Sequence, residues 1–105
     1  MVLEKINLGE YGRVGFEVDT QMGGLRSVLP LKNGYHISMV TNFNGAGAYY
    51  GEWEEQTFEV AILDKSGRYS IVDDIDDAQY TINGGVWSRI TPEEIVEKIK
   101  IVENL

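Results

Sequence analysis

The chain has 105 residues, 43% of them hydrophobic, with 17 acidic residues against 9 basic, one histidine and no cysteine. That length and apolar fraction suit one globular domain, 1–105, with a core of its own, and they argue against wholesale disorder. The lack of cysteine excludes disulfides and thiolate metal sites, and the net charge of −8 disfavours a nucleic-acid backbone or an anionic membrane as a direct partner.

The start, Met1-Val-Leu-Glu-Lys5, breaks into charge at once, so no signal peptide is expected. No apolar stretch approaches the ~20 residues that cross a bilayer, and a cytoplasmic location is expected. Val14, Phe16 and Val18 alternate with Gly15 and Glu17, the period of a half-buried strand. Segment 20–27 leaves two readings open, because Gly23-Gly24 breaks structure while 25–29 suits a strand or a short helix. Asn33-Gly34 lies between 29–32 and 35–41 and reads as a hairpin turn with both residues at positive φ. Tyr35, Ile37 and Met39 then share a face opposite His36 and Ser38. Residues 42–51, Asn-Phe-Asn-Gly-Ala-Gly-Ala-Tyr-Tyr-Gly, read as an exposed, mobile connection.

Phe58, Val60 and Ile62 share one strand face, with Thr57, Glu59 and Ala61 on the other. Asp64-Lys-Ser-Gly67 turns that strand into a partner over 69–72, and Asn83-Gly84 would join strands over 79–82 and 86–90, with Trp87 as a core anchor. The end is a helix over 92–103. Thr91 caps it, Pro92 suits its first position, Glu94 completes a capping box, and Ile90 with Ile95 has the spacing of a hydrophobic staple. Ile95, Val96, Ile99 and Val102 fall within an arc of about 120° at 100° per residue. The fold class this predicts is α+β, a curved antiparallel β-sheet of about five to seven hairpin-connected strands with one C-terminal amphipathic helix packed on it.

The acidic charge is local. Residues 52–77 hold nine acids against Lys65 and Arg68, a charge of −7, while 1–51 is neutral. The glycines at 45, 47 and 51 do not have the spacing of a dinucleotide fingerprint, no Gly-Lys-Ser/Thr is present, and Glu52, Glu54 and Glu55 would repel a phosphate. Asp73-Asp74-Ile75-Asp76-Asp77 fails the EF-hand pattern, because Gln79 stands where the glycine is needed and Gly85 where the bidentate Glu is needed. One histidine without cysteine cannot build a His-rich zinc site, and no serine sits in a nucleophile-elbow context. No metal site, cofactor or catalytic residue is therefore expected.

Aromatic residues on a glycine-hinged loop suit a contact surface. The reading favoured is a non-catalytic protein-binding module. Tyr49, Tyr50 and Trp53 would supply contact, and Glu52, Glu54, Glu55, Asp73, Asp74, Asp76 and Asp77 would attract a protein with a basic surface. Its sharpest form, a nucleic-acid mimic, needs those carboxylates on a single face. The alternatives are a small enzyme or ligand-binding domain with a carboxylate in a cleft, and a homodimer joined through a free sheet edge or the tyrosine-rich loop.

Phe58-Glu-Val-Ala-Ile-Leu-Asp-Lys-Ser-Gly67 and Trp87-Ser-Arg-Ile-Thr-Pro-Glu-Glu-Ile95 resemble segments of small, uncharacterised acidic proteins of phages and prophages of low-GC bacteria. The likeness covers the C-terminal half. It implies an accessory protein that acts by binding a host protein.

Overall fold

Period-two alternation becomes six strands: β1 (Glu4–Asn7), β2 (Arg13–Val18), β3 (Leu25–Pro30), β4 (His36–Thr41), β5 (Phe58–Leu63) and β6 (Val86–Ile90). The computed structural model, which describes residues 1–105, joins them in one antiparallel sheet in chain order. Two helices complete the fold, α1 (Ala78–Ile82) and α2 (Pro92–Glu103). This is the α+β architecture expected from the pattern.

One sheet face holds the core. Val14, Phe16, Leu25, Ile37, Met39, Phe58, Val60, Ile62 and Trp87 are buried there, and α2 lays Ile95, Ile99 and Val102 onto it. The sheet curls around that core. In a flat sheet β2 and β5 would stand three strand spacings apart, about 14 Å. Instead, the Phe16 and Phe58 rings lie 5.5 Å apart, and Trp53 packs 5.7 Å and 6.0 Å from them. A register shift between Phe58 and Val60 bends β5 where this closure happens.

The predicted α2 start is realised in full. Glu94 N–H donates to Thr91 Oγ1 at 3.3 Å and Thr91 N–H to Glu94 Oε1 at 3.0 Å. Ile90 and Ile95 are both buried. At the other end, Asn33 donates to Val102 O at 2.9 Å and the Tyr11 hydroxyl to Glu103 at 2.5 Å, so the β3–β4 turn and the β1–β2 connection grip the helix C-terminus.

Three local expectations are corrected. The β3–β4 hairpin forms, but only Gly34 takes positive φ. Leu31 and Tyr35 close the turn, and the Asn33 side chain accepts from Tyr35 N–H. The 69–72 segment is not a strand. It makes a single bridge, Leu63 to Tyr69, because β6 occupies the same edge of β5 from Phe58 to Ala61. Residues 79–82 form α1 rather than a third hairpin arm. Asp77 accepts from Tyr80 N–H to cap it, and Tyr80 buries its ring 4.5 Å from Trp87.

Candidate functional site

Segment 42–57 is organised by Asn42. Its side chain accepts from Tyr49 N–H at 2.9 Å and donates to Tyr49 O and to Glu52 Oε1. Asn44 N–H donates to Glu54 Oε1, Tyr50 N–H to Glu59 Oε1, and Glu52 N–H to Thr57 Oγ1. Two glycines make this packing feasible. A Cβ at Gly51 would stand 2.6 Å from Thr57 O, and one at Gly47 would collide with Asn42 Oδ1. The connection forms an exposed ledge, as expected in its exposure, and much of its backbone is paired: the N–H groups of Asn42, Phe43, Asn44, Ala46, Tyr49 and Tyr50 all meet acceptors.

Tyr49 anchors the ledge to the β2–β3 connection. Its hydroxyl donates to Asp19 Oδ2 at 2.5 Å, and Asp19 also accepts from Gln21 and Met22 N–H at 3.0 Å. The Tyr49 phenol is pushed up to about 12, first by burial and then by Asp19. Asp19 is correspondingly held below the usual carboxylate range, chiefly by the Tyr49 hydrogen bond.

A second acid is also withdrawn from water. Asp77 Oδ2 accepts from Lys98 Nζ at 3.0 Å, with the two side chains only 15% and 17% exposed. Lys98 lies 5.7 Å from the Trp87 ring centre. The Trp87 indole N–H is buried and meets no acceptor in good hydrogen-bond geometry. Burial opposes ionisation of Asp77, yet Lys98, the indole N–H and Tyr80 N–H together hold its carboxyl below the usual range.

The sheet face away from α2 is uncovered beside β5 and β6. Glu59, Ala61 and Leu63 alternate onto it from β5. A cavity of about 460 Å³ opens there, lined by Tyr50, Glu59, Ile82, Asn83, Val86 and Ser88. Ile82 is 82% exposed and Tyr50 59%. Tyr69 and Ile71, both more than half exposed, lie beside Gly85, the residue before β6.

The predicted contact residues therefore divide. Tyr50 is open to solvent, Tyr49 is half-buried on Asp19, and Trp53 is half-buried on Phe16 and Phe58. Glu52 and Glu54 spend an oxygen on the ledge, while Glu55 is exposed. Asp73, Asp74 and Asp76 are exposed and pair with no cation, and Asp77 is taken by Lys98. Glutamates 52–55 and aspartates 73–77 share no hydrogen bond, ion pair or main cavity. Along the chain they flank β5, with Glu52, Glu54 and Glu55 before it and Asp73, Asp74, Asp76 and Asp77 after it. No group of three or more His, Asp or Glu side chains converges as a metal site would require, and no helix is long and apolar enough to cross a membrane.

Sequence reading missed Ile82, Glu59 and Lys98. For Ile82 the signal was present but misassigned, since an isoleucine in a strand arm is expected to be buried. Comparison of the chain with protein-family models, with curated proteins and with solved structures finds no match.

Proposed function

We propose that the chain is a non-catalytic protein-binding module, whose partner presents a basic surface to the open side formed by β5, β6 and α1. The observation that carries this reading is the exposure of apolar side chains together with unpaired acids: Tyr50 and Ile82 at the cavity, Tyr69 and Ile71 beside Gly85, and three carboxylates, Asp73, Asp74 and Asp76, that no cation neutralises. Carboxylates of this kind speed encounter, and desolvated aromatic and aliphatic groups hold the complex. Tyr50 is the contact residue of the aromatic ledge, whereas Tyr49 and Trp53 position it.

Self-association through this side would bring two segments of charge −7 together, so a cationic partner fits better than a second copy. The enzyme reading gains no support from the withdrawn acids. Asp19 and Asp77 are both held ionised, where acid–base work near neutral pH calls for a raised carboxyl. Neither lines a main cavity. A binding role also accords with the accessory function that the phage-protein resemblance implies.

The test is an affinity pull-down at low and high salt, with wild type and an Asp73→Asn/Asp74→Asn/Asp76→Asn variant. Surface fields fade over about 8 Å at physiological salt. Partner capture should fall both in high salt and in the variant. Capture unchanged in both would refute the proposal.

A further inference from the structure

We infer that the cavity of Tyr50, Glu59, Ile82, Asn83, Val86 and Ser88 receives an arginine side chain of the partner, an inference that rests on the protein-binding reading above. Glu59 is fixed in place. Its Oε1 accepts from Tyr50 N–H at 3.0 Å, which orients the carboxylate and leaves Oε2 for an incoming donor. Tyr50 offers a ring to a guanidinium, and the chain's own Arg89 already holds its Cζ 6.0 Å from that ring centre. Ile82 and Val86 give apolar walls for a methylene stem. The Asn83 side chain and the Ser88 hydroxyl complete the lining with polar groups that make no side-chain hydrogen bond within the chain.

No lysine or arginine is among the lining residues and Glu59 forms no ion pair, although Arg89 stands over the Tyr50 ring at the cavity's side and an incoming guanidinium would share that ring with it. Arginine matches this lining better than lysine. Its planar group stacks on an aromatic ring and presents five donors to dispersed acceptors, whereas an ammonium is a compact, strongly hydrated point charge. The local charge of −7 over 52–77 selects a cation over a neutral apolar anchor, although the walls alone would accept either.

The probe is N-acetyl-arginine methylamide, with the lysine and leucine equivalents as comparisons. Each is titrated into nitrogen-labelled full-length chain and followed by amide chemical shifts. The arginine compound should shift Glu59, Ile82, Asn83 and Ser88 saturably. The lysine compound should bind more weakly and the leucine compound should not saturate. Glu59→Gln keeps an acceptor for Tyr50 N–H but removes the charge, and should weaken arginine binding by about fivefold or more. Absence of saturation, equal binding by the leucine compound, or unchanged binding to Glu59→Gln would overturn the inference. The two proposals fail separately. If no arginine binding is seen while partner capture stays dependent on salt and on Asp73, Asp74 and Asp76, only the cavity assignment falls. If the cavity binds arginine while capture ignores salt and those aspartates, the basic-partner reading falls.

Discussion

The Asp77–Lys98 pair tests whether part of the acidic segment is structural. Asp77→Asn removes the charge but keeps a side chain that caps α1 well, and Lys98→Met removes the cation but keeps an unbranched stem. Across 3.0 Å the bare attraction at an effective dielectric near 20 is about 5.5 kcal/mol. Desolvation returns much of it. Exposed pairs retain about 0–1 kcal/mol, and removing one partner of a fully buried pair costs about 3–5 kcal/mol. With both side chains mostly but not wholly covered, the coupling expected from a double-mutant cycle is about 2 kcal/mol. That corresponds to about 8 °C in Tm for a domain of this size. Urea unfolding of the four proteins at pH 7, with thermal scans alongside, reads the coupling directly.

The pH dependence has a fixed sign. The folded Asp77 carboxyl lies below its ordinary value of 3.8, held there against burial by Lys98, the Trp87 indole and Tyr80 N–H. A depressed folded pKa contributes stability that is present above the unfolded pKa and is lost as pH falls through the folded one. The gap between wild type and Asp77→Asn should therefore be constant from neutral pH down to about 5 and shrink below about 4. A coupling under about 1 kcal/mol at pH 7, the range of an exposed pair, would refute the reading of the pair as structural. A gap that persists unchanged at low pH would refute it equally. The same result decides how the binding test is built. Neutralising Asp77 with its neighbours would confound loss of fold with loss of charge.

Two further substitutions probe the ledge. Tyr49→Phe removes the hydroxyl that holds Asp19 low, and should cost about 1–2 kcal/mol at pH 7 in urea unfolding. An unchanged midpoint would mean that the 2.5 Å contact adds nothing to stability. In wild type at least two phenols, Tyr11 and Tyr49, should resist alkaline titration followed by ultraviolet difference absorbance until about pH 12, and Tyr49→Phe should remove one of them. Asn42→Ala deletes three hydrogen bonds at once and should cost about 2–3 kcal/mol, with faster amide exchange at Tyr49. Wild-type exchange at Tyr49 in the variant would show that the ledge does not depend on Asn42.

The α2 start was legible because its signals are local. Thr91, Pro92 and Glu94 act within one turn, and their meaning does not depend on what lies across the core. Strands β2, β4 and β5 were legible for a related reason, since alternation reports one buried face whatever the neighbour is. Residues 79–82 were not. Four residues cannot distinguish a strand arm from a helical turn, and the outcome is decided by Tyr80 stacking on Trp87 and by the Asp77 cap. The 69–72 segment failed as a strand because β6, drawn from later in the chain, competes for the same edge of β5. In the candidate site, the concentration of charge was visible from the positions of the acids along the sequence. The partners of Tyr49 and Asp77 were not, because Asp19 lies 30 residues from the first and Lys98 lies 21 from the second.

Those partners change what the charge means. Of the nine acids over 52–77, Glu52, Glu54, Glu59, Asp64 and Asp77 each accept hydrogen bonds from within the chain. Asp64 alone takes Ser66 N–H, Ser66 Oγ–H and Arg68 N–H, the chemistry of a tight turn. Such carboxylates keep their charge and contribute to the long-range field. Their lone pairs, however, are partly committed, and rotating one towards a partner would leave an amide unpaired. Glu55, Asp73, Asp74 and Asp76 carry no such cost. A basic partner should thus be steered by the whole segment but seated by the aspartates before α1, together with the free oxygen of Glu59. Salt should then slow association with any variant that keeps the net field. Substitution of Asp73, Asp74 and Asp76 should in addition speed dissociation, whereas substitution of Glu52 or Glu54 should act on the ledge and on stability first.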